Sequence, residues 1–169
     1  MNPQRMGKGM IALGWILALA LLAWWFQGRL DAQRNPNRVP QVLIQDGRPG
    51  VVLRRNRAGH YVASGEINGV PVEFLIDTGA THVAVPEAIA RRAGLPRGAP
   101  MRFRTANGVA RGWATRIEAL RLGPLVLHGV RASINPGMAG NEVLLGMSFL
   151  RHLDFEQRGD RLVLRPRGD

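Results

Sequence analysis

The sequence contains no cysteine, which excludes disulfides and thiolate metal sites. Acidic residues are scarce as well, 12 against 23 Lys and Arg, and the formal net charge is +11. An excess of that size raises nucleic acid or an anionic membrane surface as partners. The arginines are scattered, however, and often alternate with apolar residues, as in Met101-Arg102-Phe103-Arg104. Scattering of this kind reads as solvated strand faces, and no nucleic-acid partner is expected. The four histidines, His60, His82, His128 and His152, lie far apart without metal-ligand spacing, so no metal is expected. There is no Gly-x-Ser-x-Gly and no phosphate-cradling loop, which removes serine-nucleophile and P-loop chemistry.

Long apolar runs are also missing, with one exception. Residues 9–28 hold no charge, and Met10 to Phe26 is almost all Leu, Ala, Ile and Trp. A helix of that length crosses a bilayer, with Trp24 and Trp25 suited to the lipid–water boundary. No small-x-small cleavage site follows at Gln27–Leu30, so an uncleaved anchor is expected rather than a signal peptide. Arg5 and Lys8 precede the span, while Arg29, Arg34 and Arg38 follow it with Asp31, a balance that barely discriminates orientation. The short tail of residues 1–8 in front and the bulk of the chain behind favour a cytoplasmic amino terminus. The expected location is the cell inner membrane, single-pass, with the following domain periplasmic. Residues 29–48 are polar and carry Asn35-Pro36-Asn37 and Val39-Pro40; they read as a linker. A domain spanning 49–169 follows.

That domain reads as all-β, in short strands between turn residues. Asn68-Gly69 suits a two-residue hairpin turn, since both positions tolerate positive φ. Folding about it sets Ile67 opposite Val70, Gly65 opposite Val72, Ala63 opposite Phe74 and Tyr61 opposite Ile76, which marks the core face. Asn107-Gly108 repeats the signal between Met101–Ala106 and Val109–Leu122, and Gln157–Asp160 joins Leu153–Glu156 to Arg161–Arg165. Helix is sparse: Pro86–Ala93, with Pro in the first turn and Gly94 as a stop, and a short one in Gly146–Leu153. Trp113 reads as core rather than substrate contact.

The strand Val70–Ile76 runs straight into Asp77-Thr78-Gly79-Ala80-Thr81. An apolar strand ending in an acid, then a small hydroxyl residue and a glycine, presents a carboxylate at the end of a rigid element. As a bare tripeptide, Asp-Thr-Gly is common in ordinary turns. Context changes the weighing. Val143-Leu144-Leu145-Gly146-Met147-Ser148 is an apolar run ending in glycine, and the Asn107-Gly108 hairpin lies between the two segments.

In that order these features resemble the retropepsin-like aspartic proteases, over roughly residues 50 to 166, and most closely the bacterial membrane-anchored members. The resemblance implies a closed β-barrel with one or two short helices behind a transmembrane helix. It implies Asp77 as the catalytic aspartate and Thr78 as the residue bonding across to a partner loop. Gly79 would admit the substrate backbone, and Ala80 would wall a subsite. Ala106, Asn107 and Gly108 would tip the substrate-covering flap. Leu144, Leu145 and Gly146 would form the second signature beneath the catalytic loop, and Leu162–Leu164 a strand of the dimer sheet. His82 is placed to line a subsite. Viral members carry an acid two residues after the motif glycine and an arginine after the later one; Thr81 and Met147 stand there instead, so the dimer must be supported differently.

The chemistry needs two carboxylates sharing one proton, and one Asp-Thr-Gly occurs in the chain. A homodimer joining two copies of Asp77 is therefore expected, acting on peptide or protein substrates and needing no metal or organic cofactor. Confinement of the anchors in a membrane would raise the effective concentration of partners. The rival expectation is a catalytically silent peptide-binding dimer of the same fold.

Overall fold

The hairpin at Asn68-Gly69 forms as its chemistry dictates. Asn68 and Gly69 take φ of +50° and +78°, the pairing of a twist-matched two-residue turn. The flanking strands pair Ile67 with Val70, Gly65 with Val72 and Ala63 with Phe74, and the Ile76 N–H reaches the Tyr61 carbonyl at 3.0 Å. The asparagine also does what a glycine would not. Its Oδ1 accepts the Ala119 N–H at 3.0 Å and its Nδ2 donates to the Ala93 carbonyl at 3.1 Å, tying the turn to distant segments.

The computed structural model describes residues 3–45, 47–105, 108–138 and 140–168. The elements in chain order are α1 (Pro3–Arg34), β1 (Gln41–Gln45), β2 (Arg48–Arg54), β3 (Val62–Ile67), β4 (Val70–Ile76), β5 (Val83–Pro86), α2 (Glu87–Arg92), β6 (Pro100–Thr105), β7 (Gly108–Leu122), β8 (Leu125–Asn135), β9 (Glu142–Leu145), α3 (Met147–Leu150), β10 (Leu153–Arg158) and β11 (Arg161–Pro166). They fall into two units, Met1–Arg34 and Asn35–Asp169.

In the first unit, α1 extends past the expected 9–28 at both ends. Polar residues such as Arg29, Gln33 and Arg34 are good helix formers and carry it onward. The Arg29 guanidinium lies 5.3 Å from the centroid of the Trp25 ring one turn earlier, a cation–π contact. Asn35 precedes Pro36, where helical dihedrals are disfavoured, and the helix ends there. Leu13–Arg34 is long and apolar enough to cross a membrane.

In the second unit, a sheet in the order β3-β4-β9-β5-β8-β7-β6 closes on itself where β3 meets β7 at Glu66–Arg121 and Ile67–Leu120. Six strands thus form a barrel, with β6 hung outside. Gly65 permits the closure. A Cβ there would sit 2.9 Å from Cδ2 of the Phe74 ring and closer still to the Arg121 carbonyl. Alternate residues point inward: Ala63 and Ile67, Val72 and Phe74, Val83 and Val85, Val143 and Leu145 are all buried, at about 1.5–3 kcal/mol for each large side chain. The second sheet, β1-β2-β11-β10, adds Val51, Leu53, Leu162 and Leu164 to the same core.

Three expectations change. The segment 29–48 is not a linker. It holds the end of α1 and all of β1, and Asn35 and Asn37 are 1% and 4% exposed. Asn37 Nδ2 donates to the carbonyls of Arg54 (2.8 Å) and Val62 (2.7 Å), and its Oδ1 accepts the Arg54 N–H at 2.7 Å. Asn35 Nδ2 donates to Ser64 Oγ and to Glu73 Oε1, while its Oδ1 accepts the Asn37 N–H. Polar composition marked these residues as solvated, whereas the Asn37 amide holds the backbone of Arg54 and Val62 and the Asn35 amide holds Ser64, Glu73 and the Asn37 N–H. Next, the strands around the second Asn-Gly pair Thr105 with Gly108 and Phe103 with Ala110, so Gly108 belongs to the ladder; Ala106 and Asn107 lie outside the described residues. Finally, the strand Leu162–Leu164 is paired on both sides within its own chain, by β10 and by β2. It has no free edge to offer a partner.

Replacing Asn37 by Ala strands the part-buried Arg54 N–H and the buried Val62 carbonyl, at about 3 kcal/mol. Chemical denaturation followed by tryptophan fluorescence should register that loss, and an unchanged midpoint would contradict the bracket's role.

Candidate active site

Strand β4 delivers Asp77 to one end of the barrel. Its last residues run parallel to β9, with Leu75 beside Leu144 and Ile76 beside Leu145. The chain then turns over Asp77–Ala80. The Gly79 N–H donates to Asp77 Oδ1 at 2.9 Å, and the Ala80 N–H donates to the Asp77 carbonyl at 3.3 Å. This is an Asx turn closed by an ordinary backbone turn. It holds one carboxylate oxygen in place and leaves the other without a partner in the turn.

The segment after β9 fastens this loop from below. Asp77 N–H donates to the Leu145 carbonyl (3.2 Å), Met147 N–H to Ala80 (2.8 Å) and Ser148 N–H to Thr81 (3.0 Å). Ser148 Oγ accepts the Val83 N–H at 2.9 Å and donates to the Arg131 carbonyl at 2.7 Å. One buried hydroxyl thus joins the strand leaving the loop to β8. Gly146 sits where these bonds converge. A Cβ on it would lie 2.5 Å from the Ala80 carbonyl oxygen and closer still to that of His82. Both obstacles are backbone, so neither moves without moving the loop.

Above the loop lies a cleft of about 790 Å³. Asp77, Gly79, Ala80, Thr81 and His82 line it with Met101 to Phe103 of β6; Ala84, Ser133, Asn135 and Leu144 complete the lining. Asp77 is the sole acid among the described lining residues, accompanied by Arg102 and His82. It is neither buried nor fully exposed. His82 Nδ1 is buried with no hydrogen-bond partner.

Of the residues singled out in the sequence, Asp77, Gly79, Ala80, His82 and Leu144 meet in this cleft. Thr78 is exposed on the loop, and Leu145 and Gly146 are buried beneath it. Gly108 is not among the lining residues, although its strand partner β6 supplies the outer wall. Trp113 is half-buried against the core, with the Arg97 guanidinium 4.3 Å from its ring centroid. The sequence reading missed Ser148, Ser133 and Asn135. All three are buried polar residues, and a lone serine or asparagine in a strand or short helix carries no signal of the tertiary bond it will make.

Gly146→Ala should cost about 3 kcal/mol through the forced shift of the Ala80 and His82 backbone. Thermal unfolding measures it; a variant as stable as the parent would contradict the described packing.

The family described as gag-polyprotein putative aspartyl protease matches residues 63–152, which span both the Asp77 loop and the segment that fastens it. A protein from a Sinorhizobium species, described as an uncharacterized protein in the cobV 5' region, is 31% identical over 179 residues, covering 97% of this chain and 76% of that relative. Among solved structures, a retropepsin-like aspartic protease from Rickettsia conorii superposes with a TM-score of 0.59 at 26% identity, over 69% of this chain and 90% of that one. With the closed barrel and the fastened loop, these likenesses place the chain in the retropepsin-like aspartic protease family.

Proposed function

We propose that the chain is an aspartic endopeptidase that works as a homodimer, each copy contributing Asp77. One observation carries the reading: a lone carboxylate is held by its own turn at the wall of a large cleft whose other described residues supply no second acid. Two carboxylates brought to hydrogen-bond distance share one proton, because two like charges so close do not both ionise cheaply. The ionised member takes a proton from a water lying between them, and that water attacks the peptide carbonyl. The protonated member donates to the developing oxyanion, and the proton then passes to the leaving nitrogen. The turn fixes Oδ1 through the Gly79 N–H, which limits the motion lost at each turnover.

The remaining roles belong to the same proposal. Gly79 and Ala80 let a substrate backbone approach the carboxylate, and exposed Thr78 offers its hydroxyl towards the second copy. Strand β6 and the start of β7 cover the cleft. Helix α1 serves as an inner-membrane anchor with the barrel on the periplasmic side, where the substrates are peptides or unfolded protein segments.

The test uses the full chain in detergent against a mixed peptide library at mildly acidic pH. The parent should cleave and be blocked by a statine-type transition-state mimic, and Asp77→Asn should lose on the order of 10²–10⁴-fold in rate. Equal cleavage by both forms sinks the assignment of Asp77. Binding of peptides without cleavage by either form identifies the catalytically silent module instead.

A further inference from the structure

Strand β1 is an unguarded sheet edge. It pairs with β2 on one side, from Gln41–Val52 to Gln45–Arg48, and ends the β1-β2-β11-β10 sheet, with no described strand on its other side. Free edges expose a row of backbone donors and acceptors, and soluble proteins blunt them with charge, proline or bulges. The opposite edge of the same sheet is blunted in this way. β10 carries Asp154, Glu156 and Arg158, with Glu156 and Arg158 paired at 2.7 Å. The outer strand of the barrel sheet, β6, opens on Pro100 and carries Arg102. Pro40 stands just before β1, but Gln41–Gln45 itself holds neither charge nor proline. In a chain of 35 charged side chains (23 basic plus 12 acidic), Val39 to Gln45 holds none. Val39, Val42 and Ile44 are 89%, 55% and 73% exposed.

The strand is also its own complement. Written about Leu43, the order Gln41-Val42-Leu43-Ile44-Gln45 reads nearly the same in both directions. An antiparallel twofold pairing sets Gln41 against Gln45, Val42 against Ile44, and Leu43 against Leu43, with apolar facing apolar and amide facing amide. Twofold interfaces require this self-matching. Gly50 opens the lane that steadies the edge: Arg165 passes over β2 beside it and its Nη1 donates to Gln45 Oε1 at 2.8 Å.

We infer that β1 is a self-pairing edge, and that its partner is β1 of a second copy of this chain. The strand expected to join copies, β11, is filled on both sides, and β1 is the uncharged edge that remains among the described strands. The second chain is what the proposed chemistry at Asp77 requires, and the inference rests on that reading for its purpose only. A five-residue pairing is small beside the roughly 1,200–2,000 Å² of stable interfaces, so association is concentration-dependent and is strengthened where chains share a bilayer.

The absence of cysteine gives a site-specific test in the full chain. Directly opposed residues of antiparallel strands have Cα atoms about 4.5–5.5 Å apart, within disulfide range. Leu43→Cys in detergent or bilayer discs should oxidise mainly to a disulfide dimer. Phe155→Cys on the β10 edge should stay monomeric on the same gel, and adding Ile44→Lys to Leu43→Cys should abolish the link. A monomeric Leu43→Cys, or equal linking at both positions, overturns the inference. Peptide cleavage by the same samples is read separately. Cleavage without linking through position 43 removes this inference and keeps the protease; linking without cleavage by any sample does the reverse.

Discussion

Four hydrogen bonds tie the stretch from Asp77 to Val83 to the stretch from Leu145 to Ser148: Asp77 N–H to Leu145, Met147 N–H to Ala80, Ser148 N–H to Thr81, and Val83 N–H to Ser148 Oγ. They form only if the two backbones approach closely, and the approach exists because position 146 has no side chain. The chemistry proposed for Asp77 depends on that contact. A carboxylate aimed at a reacting carbonyl must be held within a fraction of an ångström, and a surface loop alone does not hold one so firmly. Here the loop borrows rigidity from the parallel β4–β9 ladder beneath it and from a serine that reaches across to β8.

The same frame explains how a chain of this size builds a cleft. The barrel closes through the β3–β7 pairing, and the second sheet caps it by packing Val51, Leu53, Leu162 and Leu164 into a shared core. Strand β6, held outside the barrel by its pairing with the first part of β7, supplies one wall of the cleft. The four-stranded sheet satisfies the carboxy-terminal strand internally, which moves the burden of any pairing between copies to a different edge. The places where related viral enzymes carry a charge pair hold Thr81 and Met147, and the two segments are joined there through backbone bonds. Such bonds do not depend on ionisation and are less sensitive to pH and salt than an ion pair.

Much of this was legible from residues alone. Asn68-Gly69 specified both its turn and the register of the flanking strands, because a two-residue turn leaves no slack. Pro86 and Gly94 bracketed α2, and the apolar strand running into Asp77-Thr78-Gly79 located the loop. What stayed hidden depended on tertiary contact. Asn35 and Asn37 look like linker residues until the strands that their amides bracket are assembled. Ser148 looks like any serine in a short helix until Val83 and Arg131 close around it. The double pairing of β11 needs β2, which lies more than a hundred residues earlier, and no local pattern announces it. Helix α1 outran its apolar window because propensity continues where hydropathy stops.

The central claim is that two Asp77 carboxylates, from separate chains, make one site. Mixing native chain with Asp77→Asn chain at constant total concentration, with time to exchange partners, tests it most directly. If each site needs both carboxylates, an equal mixture retains about one quarter of the all-native rate, since random pairing leaves that share of dimers fully native. Retention of about one half would mean that each chain cuts alone, and would contradict the account.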